Sequence, residues 1–134
     1  MNTPASFHLR AAMVAALVAF TYFVPSAIAA DENIGQQVAT IPVPAELKVA
    51  DVKRVVVRAL AARRWELRDS SEGKVVAHYA RGKNDATLTI IYDAKQIDIY
   101  GVGTTRGGGF PMRWVENLKK DLNVFLAQES VKKD

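Results

Sequence analysis

The chain has 134 residues, with 18 Lys and Arg against 14 Asp and Glu, two His and no Cys. Without cysteine it has no disulfide, no thiolate metal ligand, no cysteine nucleophile and no lipid-modified cysteine, so its folded state has to rest on a hydrophobic core. The formal net charge of +4 is a mild basic balance, well short of the dense basic patches of a dedicated nucleic-acid binder.

Residues 1–29 read as a signal peptide. "MNTPASFHLR" carries one firm positive charge, Arg10, and is followed by the apolar stretch "AAMVAALVAFTYFV". Pro25 then breaks the helix, and Ala27-Ile28-Ala29 fits the small-residue exit that signal peptidase requires. Read instead as an uncleaved anchor, Ala11 to Ala30 would just reach the ~20 residues needed to span a bilayer. Thr21, Pro25, Ser26 and the small-residue exit favour cleavage. The expectation is a periplasmic or secreted protein with no stable membrane span after cleavage. The remaining chain, roughly a hundred residues, suits one domain and is too short for two.

Residues 30–47, "ADENIGQQVATIPVPAEL", show no sustained period, and Pro42 and Pro44 each remove a backbone donor, so they read as an extended or loosely ordered leader. A single α+β domain is expected over 48–130, with a short tail at 131–134. In "DVKRVVVRALAARR", Val52, Val55, Val56, Ala59 and Leu60 make one helical stripe, with Asp51 as its expected N-cap. After Trp65 the period changes to two. "WELRDS", "KVVAHYAR", "ATLTIIY" and "QIDIYGV" are separated by short turn-type clusters and predict a four-stranded antiparallel meander. A second amphipathic helix follows Pro111, with Val115, Leu118, Leu122, Phe125 and Leu126 on its apolar side and Trp114 turned at least partly to the sheet. The predicted order is α-β-β-β-β-α, a two-layer α+β domain with both helices on one sheet face and the other face open to water.

The run "VKRVVVRALAARRWELRDSSEGKVVAHYA", with "IIYDAKQIDIY" and "RWVENLKKDLNVFL", resembles a widespread family of small, uncharacterised, exported bacterial proteins. Arg64-Trp65, Gly73, Ala77, Tyr92-Asp93, Tyr100, Trp114 and Leu118 sit where that pattern places them. The resemblance implies the fold and the export, and it carries no assigned activity. The chain departs from the pattern at Pro111-Met112, where the family has tyrosine-asparagine, and in a glycine-rich loop just before it.

That loop, "GVGTTRGGGFP" from Gly101 to Pro111, stands where nucleotide-binding proteins keep phosphate loops. It fails both signatures. Counting from Gly103, the positions after Gly108 are Gly109 and Phe110, not the lysine and hydroxyl of a P-loop; counting from Gly101, the third glycine of a dinucleotide fingerprint falls on Arg106. No cofactor is therefore expected. The loop reads either as a flexible crossover or as a recognition loop, with hydroxyls from Thr104 and Thr105, a forked donor in Arg106, an apolar anchor in Phe110 and Tyr100 on the adjoining sheet face.

His78 is the one histidine left after cleavage, which excludes a multi-histidine metal site, and no metal is expected. As a base it would need Asp98, but an intervening strand puts the two about 10 Å apart. Ser70 and Ser71 lie at the sheet's end, poorly placed for a Ser-His-Asp set. Arg63 and Arg64 close the first helix, where cations suit the negative end of its dipole. The function expected is a soluble, exported, non-enzymatic binding module working with an envelope protein or ligand, with no nucleic-acid partner. The alternatives are a small hydrolase using carboxylates such as Asp93 or Asp98, and a polyanion or lipid-surface binder. On this reading the exported chain begins at or near Ala30; amino-terminal sequencing of the periplasmic or secreted protein is the check, and an intact Met1 in the membrane fraction would contradict it.

Overall fold

The computed structural model of the protein describes residues 33–134; the expected signal peptide and its cleavage site lie outside the described residues. The elements in chain order are β1 (Gln36–Pro42), α1 (Val49–Ala62), β2 (Glu66–Ser71), β3 (Lys74–Arg81), β4 (Asn84–Tyr92), β5 (Gln96–Thr104) and α2 (Met112–Val131). They form an α+β domain with one antiparallel sheet, ordered β1-β5-β4-β3-β2, and two helices. The meander β2 to β5 is the one that the period-two pattern predicts.

The strand count is five rather than four. Gln36–Pro42, which the sequence places in the leader, pairs antiparallel with β5 and forms one edge of the sheet. Its register skips a residue between Gln37 and Ala39, so Val38 is bulged out and the alternation of side chains breaks in the middle of the strand. That break hides the strand from a periodicity reading. Pro42 is tolerated because it ends an edge strand, where a missing donor costs no ladder bond to a second neighbour.

α1 carries the chain from the β1 edge to the β2 edge. Its stripe of Val52, Val55, Val56, Ala59 and Leu60 is buried, as are Val115, Leu118, Leu122 and Leu126 of α2. Both stripes meet the same sheet face, made of Ile41, Val75, Ala77, Ala86, Leu88, Ile90, Tyr92, Ile97 and Ile99, in one continuous core. Burial of these branched aliphatic side chains, at roughly 1.5–3 kcal/mol each, is what holds a domain without disulfides together. Among the described residues no helix is long and apolar enough to cross a membrane.

Asp51 is not the N-cap of α1. Lys48 holds that position, and Asp51 sits three residues further on, where its Oδ2 accepts the Lys48 backbone N–H at 2.9 Å. The carboxylate is buried, and it also pairs with Arg54 and, at 3.2 Å, with Lys133. Arg54 reaches on to Glu129 at 3.1 Å, and Glu129 takes Lys132 at 3.2 Å. The start of α1 is thereby tied to the end of α2, and the tail residues Lys132 and Lys133 are part of the tie.

The backbone hydrogen bond from Lys48 and the cations around it hold the Asp51 carboxyl below the usual range. Arg54 and Lys132 do the same for Glu129. Both groups therefore bind protons less readily in the folded chain than in the unfolded one. Their contribution is present above the unfolded values near ~4 and is lost as pH falls through the lower folded values. The thermal midpoint is expected to drop as pH is lowered from about 5 toward 2, and Asp51→Asn to drop less over the same interval; circular-dichroism melts of both proteins check this.

Candidate functional site

The five binding residues expected from the glycine-rich region are not brought together. Tyr100 and Thr104 belong to β5 and share the open face, opposite Thr89 and Asp85 respectively. Phe110 turns to the other face and packs against the core. Its ring lies over Gly101 so closely that a methyl group there would come within 2.5 Å of the ring's Cζ, which is why this position is glycine. Gly101 to Thr104 are strand, not loop. The turn that remains is held closed: the Thr105 N–H bonds Gly109 O at 2.7 Å, the Gly108 N–H bonds Thr105 O at 2.9 Å, and the Gly109 N–H bonds Thr105 Oγ1 at 3.2 Å. The Arg106 N–H donates to Asn84 Oδ1 at 2.8 Å, pinning the turn to the β3–β4 hairpin. Gly108 takes the left-handed position of this turn at φ 91°.

The carboxylates that a hydrolase would use are occupied. Asp93 Oδ1 accepts the Lys95 and Gln96 N–H groups at 2.7 and 2.9 Å and shapes the β4–β5 turn. Asp98 accepts bonds from Thr40 and Gln37 of β1 at 2.9 and 3.1 Å, which bind β1 to β5, and one from Gln96 of its own strand at 2.8 Å. His78 pairs in register with Thr87 of β4 and Glu66 of β2, while Asp98 pairs with Ile91 and Thr40, so a strand and several residues separate them. His78 instead sits 3.3 Å from Arg68 and 3.6 Å from Asp85. Among the described residues no group of three or more His, Asp or Glu is placed to hold a metal ion.

What the fold does assemble is a pocket of about 340 Å³ where the end of α1, the end of β3 and the start of α2 meet. Its walls are Arg63, Trp65, Tyr79, Arg81, Arg113, Trp114 and Asn117. Each arrives for a local reason. α1 stops by a left-handed closure in which the Arg64 N–H bonds Ala61 O and the Trp65 N–H bonds Leu60 O, both at 3.0 Å. Arg64 takes the left-handed conformation, φ 62°, usually given to glycine. The closure reverses the chain and drops Trp65, 5% exposed, into the core's end. On β3, Tyr79 and Arg81 continue the parity of Val75 and Ala77, which places them on the helix side of the sheet beyond the last core layer. On α2, Arg113 and Asn117 are one turn apart, with Trp114 between them.

The three rings meet in a triangle. Tyr79 lies 4.8 Å from Trp114 and 5.5 Å from Trp65, centroid to centroid, and the two indoles stand 6.3 Å apart at 88°. Tilted and edge-to-face contacts of this kind are the favoured aromatic geometries. Arg63, which the sequence suggests closes the α1 dipole, is a cross-helix tie: its Nε and Nη2 hold both oxygens of Asp121 on α2, at 2.6 and 3.1 Å. The Arg63 hydrogen bond holds the Asp121 carboxyl below the usual range, and Asp121 raises the guanidinium in turn. Arg81 and Arg113 have no acidic partner among the described residues. Asp121 offsets one of the three guanidinium charges around the pocket and leaves two uncommitted.

Sequence reasoning missed this site because its members come from three separate segments. The available signal was the repetition of basic and aromatic residues as close neighbours: Arg64-Trp65, Tyr79-Ala80-Arg81 and Arg113-Trp114. Comparison with protein families, with curated proteins and with solved structures finds no match.

Arg64→Gly is expected to stabilise the domain by roughly 0.5–1 kcal/mol, because it removes the left-handed strain and gives back part of that gain as unfolded-chain entropy. A urea unfolding midpoint that fell instead would mean that the Arg64 side chain contributes more than its backbone costs.

Proposed function

We propose that the chain is an exported, non-enzymatic binding module and that its ligands are anions held in the pocket between α1, β3 and α2. One observation carries the reading: two guanidinium groups without acidic partners, Arg81 and Arg113, edge a concave aromatic site of about 340 Å³. A volume of that size is within the range of small-molecule sites, which combine apolar walls with a few polar groups. Unpaired guanidinium groups are the usual recognition elements for carboxylate and phosphate, because their planar donors match two oxygens at once. The export motif and the resemblance to small exported bacterial proteins support the cell envelope as the setting. The structural duties of Asp93 and Asp98 support binding over carboxylate catalysis.

Both tryptophans of the chain line the pocket, so intrinsic fluorescence and the two indole N–H resonances report on it directly. A panel of small carboxylates and phosphate esters is expected to contain members that shift both signals saturably. The double variant Arg81→Gln, Arg113→Gln should weaken those members by about tenfold or more, as befits loss of charge-assisted hydrogen bonds. Added salt should weaken them further. No saturable shift from any anion, or equal binding by the double variant, would overturn the reading.

A further inference from the structure

The pocket holds more uncommitted chemistry than an acid group can use. The indole N–H groups of Trp65 and Trp114, the Tyr79 hydroxyl and the Asn117 amide have no hydrogen-bond partner among the described residues. None of them is a buried atom left unsatisfied, so each meets solvent. The site thus presents three kinds of surface side by side: two free guanidinium groups, four neutral hydrogen-bonding groups and the half-buried rings of Tyr79 and Trp114.

Resting on the reading of the pocket as an anion site, we infer that its ligand is an acidic sugar, a pyranose ring bearing a carboxylate or phosphate. Each surface has a use for that chemistry. The acid group takes the forked donors of Arg81 and Arg113. The ring hydroxyls exchange hydrogen bonds with the indole N–H groups, which only donate, and with the Tyr79 hydroxyl and Asn117 amide, which donate and accept. The apolar C–H face of the ring lies against the half-buried rings of Tyr79 and Trp114. A flat aromatic acid would satisfy the guanidinium groups and the rings but would cover the four neutral groups without bonding them, which costs affinity. A bare inorganic anion would use the guanidinium groups alone. The acidic sugar comes from one of two sources, a free sugar acid or one unit of an acidic polysaccharide, and both present the same group to the pocket.

The test is a set of fluorescence and indole-resonance titrations of the purified protein at fixed ionic strength with glucuronate, glucose, benzoate, inorganic phosphate and trigalacturonate. Glucuronate or trigalacturonate is expected to bind at least tenfold more tightly than glucose, benzoate and phosphate. Tighter binding of the trimer than of glucuronate assigns the polymer as source, and equal binding assigns the free acid. Tyr79→Phe keeps the ring and removes the hydroxyl, so it should weaken the sugar acids by about three- to tenfold while leaving benzoate unchanged. If benzoate or phosphate binds as well as the sugar acids, or if Tyr79→Phe weakens none of them, the acidic-sugar assignment is wrong and the anion site stands. If none of the charged probes binds, the assignment and the anion site fall together.

Discussion

The Trp65 N–H donates to Leu60 O, and much of the domain's layout depends on that one backbone bond. α1 has to cross the whole sheet, from the β1 edge to the β2 edge, and then stop within one turn so that Glu66 can pair with His78. The left-handed closure ends the helix, reverses the chain and satisfies carbonyls that would otherwise lack partners. Trp65 follows from it as a buried plug between α1, β3 and α2. Arg63, one residue outside the helix, is left beside Asp121 and fastens α1 to α2 at the same end. At the opposite end the Asp51, Arg54, Glu129 and Lys133 network does the corresponding job.

Fastening the helices at both ends shapes the gap between them. α2 begins over the end of β3 with Arg113 and Trp114, and the strand parity of β3 sends Tyr79 and Arg81 up to meet them. The aromatic triangle closes the core from below, and the guanidinium groups stand around its rim. The first turn of α2 holds no acidic residue, and Arg113 makes no ion pair among the described residues. Both sheet edges, meanwhile, carry features that discourage pairing with another chain. β1 has its bulge at Val38 and its proline, and β2 has a bulge at Arg68 among exposed charges.

Where the physics is local, the sequence is readable. The stripe Val52, Val55, Val56, Ala59 and Leu60 shows α1 because residues at that spacing fall on one side of the chain only when it coils at 3.6 residues per turn; Ala86, Leu88, Ile90 and Tyr92 show β4 through a period of two. β1 is not readable, because a bulge spoils a period of two, and the neighbours Val38 and Ala39 both pack against the core alongside Ile41. Asp51 lies one role away from the one its sequence position suggests: an acid near a helix start suits both N-cap and N3, and only the direction of the Lys48 N–H separates them. The glycine-rich stretch misleads in a different manner. Its glycines suggest mobility, whereas Gly101 admits a ring and Gly108 completes a hydrogen-bonded turn.

By itself the sequence determined the fold class: a cysteine-free core, two amphipathic helices and an alternating meander, all properties of residues near one another in the chain. The tertiary structure alone decided the site. Arg63, Tyr79, Arg81 and Arg113 do not stand out in sequence, since each has an ordinary place at a helix end or a strand end. They become a site because a helix closure, a strand parity and a helix start converge on one corner of the domain. Which guanidinium is consumed by Asp121 and which two are left over depends on the distance between helices, and no pattern along the chain encodes that distance.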